Sequence, residues 1–225
     1  MICNEASARA WLADLPEYDS RAAERLEELV GLLKVESRRQ NLVAAATLER
    51  VWQRHIVDSA QLLGMVSRET SSWLDLGTGA GFPGLVVAIL RPGMRMTLVE
   101  SRSLRGQWLQ SMVSALELVN VDVAVTRLET LPPFDFEVIS ARAFAPLMRL
   151  LEMAARFSTA DTTWVLPKGK SARDELWGLR GWKHTFYVEQ SLTDPDAGII
   201  TGRLIGTEEH SDDLRRYCQP EGRGG

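Results

Sequence analysis

The chain has 225 residues, of which 45% are hydrophobic and 25% charged, and its formal net charge is −4. That length gives about one to one and a half domains, and that composition an ordinary globule with a full core. No run approaches the roughly 18 apolar residues of a membrane span, and the mildly acidic total does not advertise nucleic-acid binding. Cys3 and Cys218 lie near opposite ends and form neither a disulfide framework nor a metal-ligand spacing, so no metal is expected. The N-terminus has no basic region leading into an apolar stretch, and the reading is a cytoplasmic protein.

Residues 1–66 read as helices forming an N-terminal extension packed on the core. Leu26, Leu29, Val30 and Leu33 recur at helical spacing, with Asp19 or Ser20 as the cap. Leu48, Val51, Trp52, Ile56, Leu62 and Leu63 give a second stripe, with Thr47 as its cap. Neither stripe is long enough for an independent domain.

From about residue 71 strands and helices alternate, which predicts a doubly wound, mostly parallel sheet over residues 67–210. The strands are expected at Ser72–Leu76, Arg95–Val99, Val121–Val125, Phe136–Ser140 and Thr162–Pro167. The helices are expected at Pro83–Leu90, Ser103–Leu116 and Ala145–Phe157. Thr185–Gln190 and Ile199–Ile205 read as a closing hairpin. The polar stretch 211–225 is expected to be a disordered tail.

The first strand runs into Asp75-Leu76-Gly77-Thr78-Gly79-Ala80-Gly81-Phe82-Pro83-Gly84, and Glu100 ends the next strand. A glycine turn opening a helix, with an acid one βα unit later, is the layout of a nucleotide-type cofactor site. The spacing is G-x-G-x-G rather than G-x-G-x-x-G, with Phe82 where a dinucleotide fold needs its third glycine. The tighter run suits a cofactor without phosphate, such as S-adenosylmethionine. Gly77, Gly79 and Gly81 let the backbone approach it, with Thr78 and Phe82 in the same turn. Asp75 either accepts from the cofactor ammonium or caps the turn. Glu100 is expected to hold the ribose, and Leu128 and Glu129, after the third strand, the adenine. Arg127 braces that loop.

Several segments together resemble one family. Asn41-Leu42-Val43-Ala44, Arg54-His55-Ile56-Val57-Asp58-Ser59, the Asp75–Gly84 turn, Ser140-Ala141-Arg142-Ala143-Phe144-Ala145 and Pro167-Lys168-Gly169 occur in the order found in the bacterial 16S rRNA guanine-N7 methyltransferase G family, also called glucose-inhibited division protein B. The sequence departs from that pattern at Val43, before Arg142, where an alanine is inserted or the segment starts one residue off, and at Leu104-Arg105, where one of two adjacent cations is missing. The resemblance implies a Rossmann-like class I S-adenosylmethionine-dependent methyltransferase with a seven-stranded sheet. It implies methyl transfer to N7 of a guanine in 16S rRNA, with naked RNA or the small ribosomal subunit as partner. DNA and membranes have no part, and the protein is expected to be a monomer.

Guanine N7 carries a free lone pair, so no general base is expected. Arg142 is expected to position the substrate through guanine O6 or a phosphate. It suits the methionine carboxylate equally, or a buried structural ion pair. Lys168 and Arg105 are expected at RNA phosphates. Phe144 reads as a stacking platform for a flipped base or as core, and Trp108 as core or site. His55 and Asp58, at i and i+3, read as a hydrogen-bonded packing pair. His184 and His210 have no nameable partners.

Residues 142–183 carry eight basic side chains against four acidic ones. That excess suits an RNA-facing surface, but alone it reads as ordinary solvated helix faces. Two other classes remain open: a nicotinamide oxidoreductase, disfavoured by Phe82, and a non-catalytic RNA- or partner-binding module on the same fold.

Overall fold

The computed structural model describes residues 1–207. Residues 208–225, which include the expected tail, His210 and Cys218, lie outside the described residues. The N-terminal segment begins with α1 (Glu5–Ala13) and α2 (Ser20–Glu36). Asn4 and Ser7 form a capping box on α1, and the Asp19 carboxylate accepts from Ala22 N–H at the start of α2. Ala22, Leu26, Leu29, Val30 and Leu33 form the buried face of α2.

A short α3 (Ala45–Leu48) precedes a π-helix (Trp52–Val57), which runs into α4 (Asp58–Ala60) and a 3₁₀ turn (Gln61–Met65). Thr47 does not cap this stretch as expected. It lies inside α3, where its hydroxyl donates to Ala44 C=O and meets His55 Nε2 at 2.8 Å. The Glu5 carboxylate caps the π-helix instead, accepting from Trp52 and Gln53 N–H. Arg9 lies over the Trp52 ring, 3.8 Å from its centre. The side chains of α1 and α2 share one apolar cluster with the helix α5 (Gly84–Leu90) of the sheet layer.

The strands are β1 (Ser72–Leu76), β2 (Arg95–Glu100), β3 (Val121–Val125), β4 (Val138–Ala141), β5 (Thr163–Gly169), β6 (Trp182–His184), β7 (Tyr187–Gln190) and β8 (Gly198–Thr207). The sheet order is β3-β2-β1-β4-β5-β8-β6, with β7 also paired to β8. The first five positions are parallel, and β8 runs antiparallel to β5. The outer edge of β8 is shared, β6 pairing near Thr207 and β7 near Gly198. Between them Gly202, at φ +137, lets Thr185 and Phe186 cross so closely that a Cβ would meet Thr185 O at 2.7 Å. The seventh sheet position is thus filled by two short strands, of which sequence patterning shows only the second.

The other helices are α6 (Ser103–Ala115), α7 (Leu147–Ala154) and α8 (Ala172–Trp177), with 3₁₀ turns at Leu128–Thr130 and Ala155–Phe157. The expected strand at Phe136 starts two residues later, because Phe136 N–H is taken by Phe157 C=O. The expected helix at Ala145 starts at Leu147, after Pro146. Two apolar clusters, one on each face of the sheet, complete a three-layer core. Among the described residues no helix is long and apolar enough to cross a membrane. None of them form a group of three potential metal-binding side chains either.

Candidate functional site

The carboxyl ends of β1, β2 and β4 carry the candidate site, at the point where the strand order reverses. The turn after β1 holds Gly77 and Gly79 at φ +61 and Gly81 at φ +102. A Cβ on Gly77 would meet the Phe144 ring at 2.2 Å, and one on Gly84 would meet the Asp75 carboxylate at 2.9 Å. Trp108, from α6, is buried and donates through Nε1 to Ala80 C=O, so it supports the turn from behind.

Asp75 lies beneath the turn with no exposed surface. Its Oδ1 accepts from Ser140 Oγ at 2.6 Å and its Oδ2 from Gly84 N–H at 3.1 Å, while Ser140 Oγ accepts from Trp73 Nε1. Of the two expected roles, the structure shows the cap and not an open seat for an ammonium. Thr78 is buried near this carboxylate, its hydroxyl completing no hydrogen bond.

Glu100 is 5% exposed. Its Oε2 accepts from Gly79 N–H at 3.1 Å and its Oε1 from Arg102 N–H at 2.8 Å. The acid therefore ties the tip of β2 to the glycine turn. Beside it lies a cleft of about 290 Å³ lined by Leu76, Gly77, Val99, Thr126, Leu128 and Phe144, among others. Leu128 is buried there and Glu129 is exposed on its rim. Arg156 holds this loop by donating to the Leu128 and Leu131 carbonyls. Nothing in the local sequence marks that role.

A second, wider cleft of about 670 Å³ opens on the other side of Phe144. Arg142, His55, Asp58, Arg54, Lys168 and Glu175 are among its lining residues. Arg142 follows β4 and reaches back to the N-terminal helices. It donates to Asp58 Oδ2 at 3.3 Å and to His55 Nδ1 at 3.3 Å, and its guanidinium stands 5.3 Å from the Phe82 ring centre. Phe82 itself is buried and stacks on His55 at 5.0 Å. Ala143, next in the chain, adopts φ +52, a strained conformation for a residue with a Cβ.

The expected His55–Asp58 pair is not formed. The π-helix widens the turn, and both side chains bind Arg142 instead. An arginine can only donate, so Nδ1 of His55 accepts and its Nε2–H points to Thr47. Asp58 also accepts from Thr193 and Gln61.

Lys168 is not free for a phosphate. Its ammonium lies 2.9 Å from Glu175 and donates to Ala145 C=O, with the side chain 8% exposed. Glu175 also accepts from Leu147 N–H, so the pair clamps the loop carrying Arg142 and Phe144. Burial would raise the Glu175 carboxyl, but the Ser171 hydroxyl, Lys168 and Leu147 N–H hold it below its ordinary value. Arg105 is half-buried, lies near Gly79 and donates to Asn41 C=O at 3.4 Å, joining α6 to the 41–44 loop. Of the other histidines, His184 accepts from Phe186 N–H and stacks on its ring.

Two buried groups give the fold opposite pH dependences. Burial pushes Asp75 up from 3.8 to about 6, against the Ser140 hydroxyl. Burial, then Arg142 and Arg54, push His55 down from 6.5 to about 3. Between about pH 4 and 6 folded Asp75 keeps a proton that the unfolded chain loses, so its contribution falls as pH rises. Unfolded His55 carries a proton that the folded chain excludes down to about pH 3, so its contribution falls as pH drops below about 6.5. The two slopes, each about 1.4 kcal/mol per pH unit, oppose one another between about pH 4 and 6. Urea unfolding from pH 4 to 7 separates them. The stability of Asp75→Asn relative to wild type should decline as pH falls from about 6 to 4, and that of His55→Asn should improve. Differences independent of pH contradict this assignment.

The fold, the glycine turn and the acid at the end of β2 define an S-adenosylmethionine-dependent methyltransferase. A solved S-adenosylmethionine-dependent methyltransferase from Aquifex aeolicus has the same fold, with TM-score 0.55 and 15% identity over 75% of this chain and 97% of that one. A second structure, a mutant of MtNAS in complex with S-adenosylmethionine, gives TM-score 0.55 and 16% identity over 88% of this chain and 77% of that one.

The family model for rRNA small subunit methyltransferase G (GidB) matches residues 22–191, and the chain belongs to that family. It is 54% identical over 223 residues to the ribosomal RNA small subunit methyltransferase G of Novosphingobium aromaticivorans, covering 97% of this chain and 96% of that one. The protein of the same name from Erythrobacter litoralis is 57% identical over 204 residues, covering 90% of this chain and 98% of that one.

Proposed function

We propose that this chain moves a methyl group from S-adenosylmethionine to N7 of one guanine in 16S rRNA. It acts in the cytoplasm as a monomer, on naked RNA or the small ribosomal subunit, with no part for DNA, a membrane or a metal. The observation that carries this reading is the meeting of two clefts at Phe144, one beside the glycine turn and Glu100, the other holding Arg142.

The donor set suits the cofactor. An ionised carboxylate offers about four lone-pair sites, and Glu100 uses two of them on backbone N–H groups. The other two fit a ribose diol. Leu128 and Val99 offer the adenine an apolar wall. When bound, the cofactor supplies a methyl group already activated as a sulfonium.

The chain's own work is alignment and exclusion of water. N7 needs no base, and His55 is neutral with both ring nitrogens engaged. A base methylated at N7 gains positive charge. An unpaired guanidinium beside it would oppose the reaction. Asp58 neutralises Arg142, leaving directional donors with little net field. Arg54 with Asp194 and Lys168 with Glu175 repeat that balance along the cleft.

The test is incubation of the purified protein with labelled S-adenosylmethionine and small-subunit RNA from cells lacking it, followed by nucleoside analysis. The expected product is 7-methylguanosine at a single position. Label at another atom, or none with RNA and particles alike, rejects the reading.

A further inference from the structure

Trp177 ends α8 with 84% of its surface exposed. Of the seven tryptophans it alone is exposed: Trp11 is half-buried, and Trp52, Trp73, Trp108, Trp164 and Trp182 are buried. The indole presents a wide, rigid apolar face to water with a polar N–H at its edge.

Its surroundings carry three exposed cations, Arg173, Arg180 and Lys183, against one exposed acid, Asp174. Arg173 and Trp177 stand at i and i+4 and so share one face of the helix. Arg180 folds back on the end of the helix, one of its nitrogens donating to the Trp177 and Leu179 carbonyls. Its remaining N–H groups are left to point elsewhere. Lys183 is exposed on β6 just beyond. Asp174 is the exposed acid within the helix, while Glu175 turns to the opposite side to meet Lys168. An exposed aromatic ring with an arginine one helical turn before it and another three residues after it suits a nucleic-acid strand, the ring stacking on a base and the cations meeting phosphates.

The patch lies on the same segment as the rim of the wider cleft. Lys170, Ser171 and Glu175, from the same segment, line that cleft, and α8 leads from its rim to Trp177 about 9 Å away along the helix. Lys170 itself is paired with Asp196, so the cations nearest the indole are the ones available.

We infer that the exposed face of α8, with Trp177 between Arg173 and Arg180, is a docking surface for an unpaired stretch of the RNA that flanks the target nucleotide. The inference rests on the proposed RNA substrate and adds where the strand leaves the site. Trp177 acts in RNA binding and has no part in cofactor binding or methyl transfer.

The experiment is steady-state methylation of deproteinised small-subunit RNA at saturating S-adenosylmethionine. Trp177→Ala, Trp177→Phe and the double variant Arg173→Ala/Arg180→Ala are compared with wild type. Trp177 is outside the core, so all three should fold. Trp177→Ala should raise KM for RNA about tenfold, the scale of one base stacked on a ring, with kcat and cofactor Kd unchanged. Trp177→Phe should restore most of the loss. The arginine pair should raise KM and lessen its dependence on salt. RNA should also shield Trp177 fluorescence from acrylamide.

An unchanged KM for Trp177→Ala, with wild type still methylating RNA, overturns the inference and leaves the proposed function standing. A dimer that Trp177→Ala splits without changing KM assigns the face to a second copy and overturns it too. Wild-type protein that transfers no methyl group to RNA removes both.

Discussion

Arg142→Ala should lower kcat for RNA methylation by about 10²-fold while leaving S-adenosylmethionine affinity within twofold. The guanidinium stands in the wider cleft, on the far side of Phe144 from the cleft beside Glu100. Its loss removes the fork that fixes the base, and misplacement by about 1 Å is enough for a 10²-fold loss. Arg142→Lys should recover little, because a compact ammonium lacks the planar fork whose separate nitrogens reach Asp58 and His55 and still leave donors for a substrate group. Calorimetry with the cofactor separates this from a role on the methionine carboxylate. If cofactor affinity falls in step with kcat, Arg142 holds the methionine carboxylate instead of the base. Removing the arginine also takes the donor from Asp58 Oδ2, while Oδ1 keeps Thr193 and Gln61, at a cost of about 1–3 kcal/mol, so the comparison belongs well below the melting temperature.

Glu100→Ala should weaken S-adenosylmethionine binding by about 10²-fold or more. Two hydrogen bonds to a charged acceptor, at about 1.5–3 kcal/mol each, would be lost from the ribose. The Gly79 and Arg102 N–H groups would also lose their acceptor. Glu100→Gln keeps one carbonyl oxygen and most of the shape, and it should fall between alanine and wild type. RNA affinity of the cofactor-free protein should be unchanged in both. A Glu100→Ala protein that binds the cofactor as wild type does places the ribose elsewhere.

The parts of this molecule legible in its sequence are those held by local rules. β1, the glycine turn, α5 and β2 follow from an apolar run, three glycines and a second apolar run ending in an acid. Asp19 at the start of α2 obeys the same capping chemistry in the sequence and in the structure. What was not legible depends on partners far along the chain. Arg142 meets His55 and Asp58 across 87 and 84 positions, and no spacing rule joins them. The His–Asp pair reads as self-contained because nothing in the sequence separates a π-helix from an ordinary helical turn.

Lys168 read as a solvent-facing cation because its acceptors, Glu175 and the Ala145 carbonyl, come from two other elements. The missed strand β6 has three residues, and α8 has six, too short for periodicity to register. Their place is set by β8, whose single edge both β6 and β7 share. Ser140 gave no signal either, since its role appears only when Trp73 and Asp75 close on it.

In the proposed complex the cofactor lies against the backbone of the glycine turn with its sugar on Glu100, and its reactive end faces the Arg142 cleft across Phe144. A crystal structure with S-adenosylhomocysteine tests this most directly. The ribose hydroxyls should lie on the Glu100 carboxylate, the adenine against Leu128, and the sulfur near Gly77 and Phe144. Adenosine bound in the Arg142 cleft, with Glu100 making only its two backbone contacts, would contradict it.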